Sequence, residues 1–180
     1  MNKEIEVKVK LTSYLQAKQI LDKKLTLKKR VVQIDEYWTP AHKHIYNTKP
    51  REYLRVRQEG NETRLEYHPK SVLNKKGEKL YSPEYETPVS DGNMLRKILQ
   101  LLDCKKIIVI KKHRSYYENE DLIFCLDKVE GLGAFLEVEA KKVIKNYKHT
   151  FELCQENIDL LGIAYAKEKQ KNYFSQLYKK

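Results

Sequence analysis

From residue 3 to residue 11 the chain alternates without interruption, with Ile5, Val7, Val9 and Leu11 on one side and Glu4, Glu6, Lys8 and Lys10 on the other. Successive side chains on a strand point to opposite faces, so this segment is a β-strand with one apolar and one charged face. The pattern recurs along the chain. Leu54 and Val56 oppose Arg55 and Arg57, and Leu136 and Val138 oppose Glu137 and Glu139. Lys112 and Arg114 share a later strand, and Asp127 sits on the one after it. A single wet face of an antiparallel sheet explains any one of these strands. It explains the whole set poorly, because the charges sort by strand: carboxylate pairs on the first and last, cation pairs between. A sheet closed into a barrel brings both signs into one interior.

Local signals set the remaining elements. Thr12 or Ser13 caps a helix carrying Tyr14, Leu15, Ile20, Leu21 and Leu25. Residues 28 to 39 read as a strand ending at Pro40, and residues 40 to 51, with Asn47 and Pro50, as a loop. Strands over 53–59 and 62–69 meet at a Gly60-Asn61 turn. The lysine-rich stretch from 70 to 80 reads as a mobile basic loop. Tyr81 to Val89 is a strand whose Pro83 and Pro88 place it at an edge or confine its pairing to the ends. Ser90 or Asp91 caps a helix with Met94, Leu95, Ile98, Leu99 and Leu102 on one side. Strands over 105–117, 121–129 and 134–143 follow, then a helix over 146–161 stopped by Gly162 and a short helix near 168–178. The class expected is α+β in one domain spanning 1–180, since no linker divides the chain.

Charge narrows the function classes. The net charge is +11, from 36 Lys and Arg against 25 Asp and Glu, which favours anionic partners. Cys104, Cys125 and Cys154 show no metal-ligand or redox spacing, and the charged N-terminus has no apolar signal region. A cytoplasmic protein with reduced thiols and no membrane partner is expected. Carboxylates two apart on a strand face can share Mg²⁺ or Mn²⁺, which take oxygen ligands. Arginine and lysine neutralise phosphate oxygens. Trp38 and Tyr37 could stack on a base, although strand aromatics belong more often to a core; the His42-x-His44 pair reads more readily as solvated than as a metal site.

Four features in order resemble the CYTH superfamily, also called triphosphate tunnel metalloenzymes. They are Glu4-x-Glu6-x-Lys8, the Gln33-Ile34-Asp35-Glu36-Tyr37-Trp38 stretch, Leu54-Arg55-Val56-Arg57, and the late series Asp127, Gly131-Leu132-Gly133 and Glu137-Val138-Glu139. The C-terminal Asn172-Tyr173-Phe174-Ser175-Gln176-Leu177 is similar to that family's closing segment, and Lys112-His113-Arg114-Ser115 looks closest to its class IV adenylyl cyclase branch. The resemblance implies a closed eight-stranded antiparallel β-barrel with flanking helices. It implies metal ligation by Glu4, Glu6, Asp127, Glu137 and Glu139, with Mg²⁺ or Mn²⁺ as cofactor. Phosphate contacts would come from Lys8, Arg55, Arg57, Lys112 and Arg114, of which Lys8, Arg57 and Lys112 would be catalytic. The family's strand-four lysine is replaced: His68 stands in its place, with Lys70 two residues on. A largely neutral imidazole binds phosphate more weakly near neutral pH.

The function implied is conversion of ATP to cyclic AMP and pyrophosphate. The alternatives are hydrolysis of tripolyphosphate, thiamine triphosphate, a nucleoside triphosphate or an RNA 5′ end, and a module that binds polyphosphate or RNA without turnover. Monomer and homodimer are both open.

Overall fold

The structure is a computed structural model that describes residues 2–47, 52–77, 79–168 and 170–178. Pro50, within the expected loop, and Glu78, within the expected basic loop, lie outside these residues. In chain order the strands are β1 (Asn2–Glu4), β2 (Glu6–Leu11), β3 (Thr26–Thr39), β4 (Tyr53–Glu59), β5 (Glu62–His68), β6 (Val72–Leu73), β7 (Lys79–Val89), β8 (Lys105–Glu118), β9 (Leu122–Val129), β10 (Gly133–Ala140) and β11 (Tyr165–Ala166). The helices are α1 (Tyr14–Lys24), α2 (Gly92–Leu101), α3 (Tyr147–Leu161) and α4 (Tyr173–Leu177). Ser13, Asp91, Asn146 and Asn172 cap them, each side chain accepting from a backbone N–H of the first turn. Gly162, at φ 70°, ends α3 in the left-handed conformation.

The fold is an antiparallel, sheet-rich α+β arrangement with few helices, as the alternation requires. It is not the closed eight-stranded barrel expected. Neighbouring strands follow an open order that ends at β1 and at β11, with β6 paired to β7. The strand count differs because the first strand breaks at Ile5 into β1 and β2, and because the two-residue strands β6 and β11 add to it. Part of the expected basic loop is therefore strand, Val72 pairing with Tyr81. β7 is not an edge strand. Its first half pairs with β1 and its second half with β5, so each proline interrupts only one ladder.

The chain divides into two compact units. One comprises Met1–Glu4 with Gln33–Lys111, the other Ile5–Val32 with Lys112–Lys180. The second unit has a core of Val7, Val9, Leu11, Leu126, Leu136 and Val138 from the sheet, closed by Ala17 and Leu21 of α1 and by Cys154, Ile158 and Leu161 of α3. Burial of each such side chain contributes roughly 1.5–3 kcal/mol before entropy is counted. The first unit has a smaller cluster in which Leu99 of α2 packs on Trp38 and Val56. Met94, Ile98 and Leu102, expected on one side of α2 with Leu95 and Leu99, are exposed. In both units the apolar faces of the strands are taken up by helices, which leaves the charged faces for chemistry. Among the described residues no helix is long and apolar enough to cross a membrane.

Candidate functional site

In the second unit the register brings five of the predicted side chains onto one sheet face. Arg114 stands opposite Asp127 across β8 and β9, and Glu137 stands opposite Lys8 across β10 and β2. Asp127 is fully buried, and Lys112, Arg114 and Glu137 are buried beside it. The Arg114 guanidinium donates through Nε and Nη2 to the two Asp127 oxygens, at 2.7 and 2.5 Å, and Nη2 also donates to Glu137. Lys8 Nζ is 2.7 Å from the other Glu137 oxygen, and Lys112 Nζ is 3.6 Å from Asp127.

The α4 helix adds a residue the charge pattern does not disclose. The Tyr173 hydroxyl donates to Asp127 Oδ2 at 3.0 Å, while its ring lies 4.0 Å from Lys8 Nζ and 5.1 Å from Lys112 Nζ. Phe135 packs edge-on against that ring, at 5.0 Å between centroids. Burial alone would raise the Glu137 carboxyl pKa, but Lys8, Arg114 and Lys112 outweigh it and hold the group well below the usual carboxylate range. Burial and the neighbouring charges of Glu137 and Asp127 push the Tyr173 phenol well up, so it stays a neutral donor. Cys125, on the same face, is pushed up to about 12 by burial, which leaves it a poor nucleophile.

One rung along, Glu139 of β10 stands directly opposite Glu6 of β2. Like charges directly opposite on paired strands are destabilising, and two carboxylates at that spacing suit a hard divalent cation. This rung fits Mg²⁺ or Mn²⁺. The oxygens of Asp127 and Glu137 accept from Arg114, Lys8 and Tyr173.

The first unit carries a second charged face. Arg57 makes a two-bond pair with Asp35, at 2.7 and 2.9 Å, and Arg55 Nε donates to Glu66 at 2.7 Å. The pairs cross, with Arg55 Nη1 3.5 Å from Asp35 and Arg57 Nη1 3.5 Å from Glu66. Desolvation opposes ionisation of Glu66, yet Arg55 and Arg57 hold its carboxyl far below the usual range. His68 lies at the end of this face, its Nε2 3.2 Å from Arg55 Nη2 and its Nδ1 3.2 Å from Glu84. Donor atoms of Glu4, His68 and Glu84 all lie within 4.8 Å of one another.

Sequence and fold comparisons agree with this composition of strands and charges. Residues 2–172 match the CYTH domain. The chain belongs to the CYTH domain family. This CYTH domain is 31% identical over 162 residues to a Methanocaldococcus jannaschii protein named "Putative adenylate cyclase", covering 88% of the chain and 87% of that protein. Its fold is similar to a Pyrococcus horikoshii protein, with TM-score 0.77 at 24% identity, over 96% of this chain and 98% of that one. It is also similar to a Hippeastrum protein described as a "putative adenylyl cyclase" with a dominant triphosphatase activity, with TM-score 0.64 at 19% identity, over 94% and 93% of the two chains.

Within this CYTH domain each unit carries a group of the predicted residues. Lys8, Lys112, Arg114, Asp127 and Glu137 are together, with Glu6 and Glu139 on the adjacent rung. Arg55, Arg57 and His68 are together, with Glu4 beside His68. Lys70, expected to face the same way as His68, is exposed, and its charge is felt by Glu52. The acids Asp35 and Glu66 and the hydroxyl of Tyr173 were not among the predicted site residues. Asp35 and Glu66 become visible only through the register that sets them opposite Arg57 and Arg55. Trp38 is core, 1% exposed, and Tyr37 is buried beside Arg55.

Proposed function

We propose that this CYTH domain is a metal-dependent enzyme acting on the phosphoanhydride bonds of a triphosphate, in the manner of a class IV adenylyl cyclase. One observation carries the reading: within a single sheet face, a cationic group of Lys8, Lys112 and Arg114 adjoins the all-acidic rung of Glu6 and Glu139. A metal–triphosphate has the complementary division, phosphate oxygens for the cations and a metal for the carboxylates. The bound metal would neutralise phosphate charge and hold the oxygens in place. The chain's own residues do the rest. Arg114 is fixed by Asp127, so its guanidinium is oriented before the ligand arrives. Lys8 and Lys112 can exchange their carboxylate neighbours for phosphate oxygens and stabilise charge as the bond to the leaving pyrophosphate breaks. Arg55 and Arg57 are assigned to phosphate contacts, and we read residues 1–180 as one domain.

A second reading is favoured by the burial of Trp38. With that indole committed to the core, recognition rests on phosphates more than on a base, which suits a triphosphatase that delivers water to the terminal phosphorus. Incubating the purified protein with Mg²⁺ or Mn²⁺ and ATP, tripolyphosphate or thiamine triphosphate separates the two. Cyclic AMP with pyrophosphate supports the cyclase, and orthophosphate supports the triphosphatase. Thermal stabilisation by these ligands without any product contradicts both and leaves a binding module.

A further inference from the structure

We propose that Glu4, His68 and Glu84 form a binding site for a divalent metal that accepts an imidazole nitrogen, of the Zn²⁺ type, in preference to Mg²⁺. Three adjacent strands deliver the three side chains. β1 and β5 flank β7, and Glu4 faces Ser82 while Tyr67, the neighbour of His68, faces Tyr85, the neighbour of Glu84. Strands fix backbone positions more tightly than loops do, which favours a defined coordination shell. The donor atoms already lie within 4.8 Å of one another, and His68 Nδ1 is 3.2 Å from a Glu84 oxygen. Two ligands bound tetrahedrally at roughly 2.0–2.2 Å stand a little over 3 Å apart, so this pair needs little adjustment. Glu84 and His68 are partly exposed at 20% and 13%, so an ion can reach them.

The donor set decides the class of metal. Imidazole nitrogen suits Zn²⁺ and its first-row neighbours, whereas Mg²⁺ prefers oxygen and water throughout. Two carboxylates with one neutral imidazole match a divalent charge. The ring's other nitrogen, Nε2, lies 3.2 Å from the donor Nη2 of Arg55 and 3.5 Å from Glu66 Oε2, so Nδ1 is the nitrogen turned towards Glu84. The site is distinct from the acidic rung of Glu6 and Glu139, and it does not rest on the triphosphate reading.

The test is calorimetric titration of the metal-free 180-residue chain with Zn²⁺ in excess Mg²⁺ and without any phosphate ligand, with imidazole signals followed by NMR. We expect one Zn²⁺ per chain, binding undisturbed by Mg²⁺, and a shift of the His68 ring signals. His68→Asn and Glu84→Gln should each weaken binding at least ~10-fold, while thermal melts confirm that both variants fold. The double substitution of the exposed His42 and His44 by Gln, and separately Glu6→Gln, should leave Zn²⁺ affinity unchanged. The proposal is overturned if His68→Asn and Glu84→Gln bind as the wild type does, if removing His42 and His44 abolishes binding, or if Mg²⁺ competes at equal concentration. Because no substrate is present, loss of triphosphate activity in Glu6→Gln with intact Zn²⁺ binding would separate this site from the catalytic assignment.

Discussion

In the group around Asp127, Lys8, Lys112 and Arg114 face Asp127 and Glu137, so cations outnumber carboxylates by one. In the group around Glu66, Arg55 and Arg57 are matched by Asp35 and Glu66, and Glu4 and Glu84 stand beyond them beside His68. Both are charged sheet faces backed by an apolar face under helices. They differ in what a ligand would complete. The first has surplus positive charge at its centre and suits an anion. The second is internally neutral at its arginines and negative at its end, and suits a cation there. Buried ion pairs are weak evidence for stability, because desolvation consumes most of the attraction. A face that keeps so many of them is not explained by stability alone.

The largest expected effect that separates the two groups is on stability. Arg114→Met leaves Asp127 and Glu137 buried without their shared partner and should cost about 3–5 kcal/mol in urea unfolding. Arg57→Met should cost more, since Asp35 and Glu66 then share Arg55, whereas Lys8 and Lys112 still face Glu137 and Asp127 once Arg114 is removed. Equal losses would show that the groups are balanced alike. Next comes catalysis. Lys8→Met should lower kcat/KM for the triphosphate by ~10²–10³, the usual effect of removing one charge-stabilising donor at the reacting group. A change confined to stability, with normal turnover, would make Lys8 structural.

Acid should weaken both groups. The carboxyls of Glu66 and Glu137 are depressed in the folded chain, so their stabilisation is complete above the ordinary carboxylate range of about 4 and is lost as pH falls below it. In thermal melts at decreasing pH, Lys8→Met should flatten this acid limb by relieving the depression at Glu137. An unaltered limb would assign the acid sensitivity to the Glu66 group alone. The smallest effect concerns the acidic rung. Glu6→Gln removes a like-charge opposition to Glu139 and should raise metal-free stability by roughly 0.2–1 kcal/mol. The same change should abolish stabilisation by Mg²⁺ with tripolyphosphate.

Much of this division is legible in the alternation of residues. The two-faced strands, the caps at Ser13 and Asp91 and the stop at Gly162 are local, so period and turn chemistry disclose them. The cationic members of the site are legible for the same reason, since a charge opposite Leu or Val on a strand has only the other face to occupy. Their partners are not. Asp35 meets Arg57, and Glu66 meets Arg55, through cross-strand register, which depends on turn lengths and bulges rather than on any one segment. Tyr173 reaches Asp127 from a five-residue helix distant in the chain, and no periodicity in so short a piece marks its direction. The break at Ile5 and the pairing of Val72 with Tyr81 were hidden likewise, because both depend on tertiary hydrogen bonding. The exposed face of α2 shows the converse, an apolar helical stripe that the sheet beneath covers only at Leu99 and partly at Leu95.

In the proposed site Lys8, Lys112 and Arg114 take the phosphates while the adjacent Glu6 and Glu139 take the metal. Calorimetric titration of tripolyphosphate with and without Mg²⁺ checks this division, because two ligands that complete one another must each raise the other's affinity by the same factor. Mg²⁺ is expected to tighten tripolyphosphate binding at least ~5-fold, this coupling to disappear in Glu6→Gln, and Lys8→Met to weaken tripolyphosphate binding with or without metal. Equal affinity in the presence and absence of Mg²⁺, or binding that survives unchanged in Lys8→Met, would contradict it.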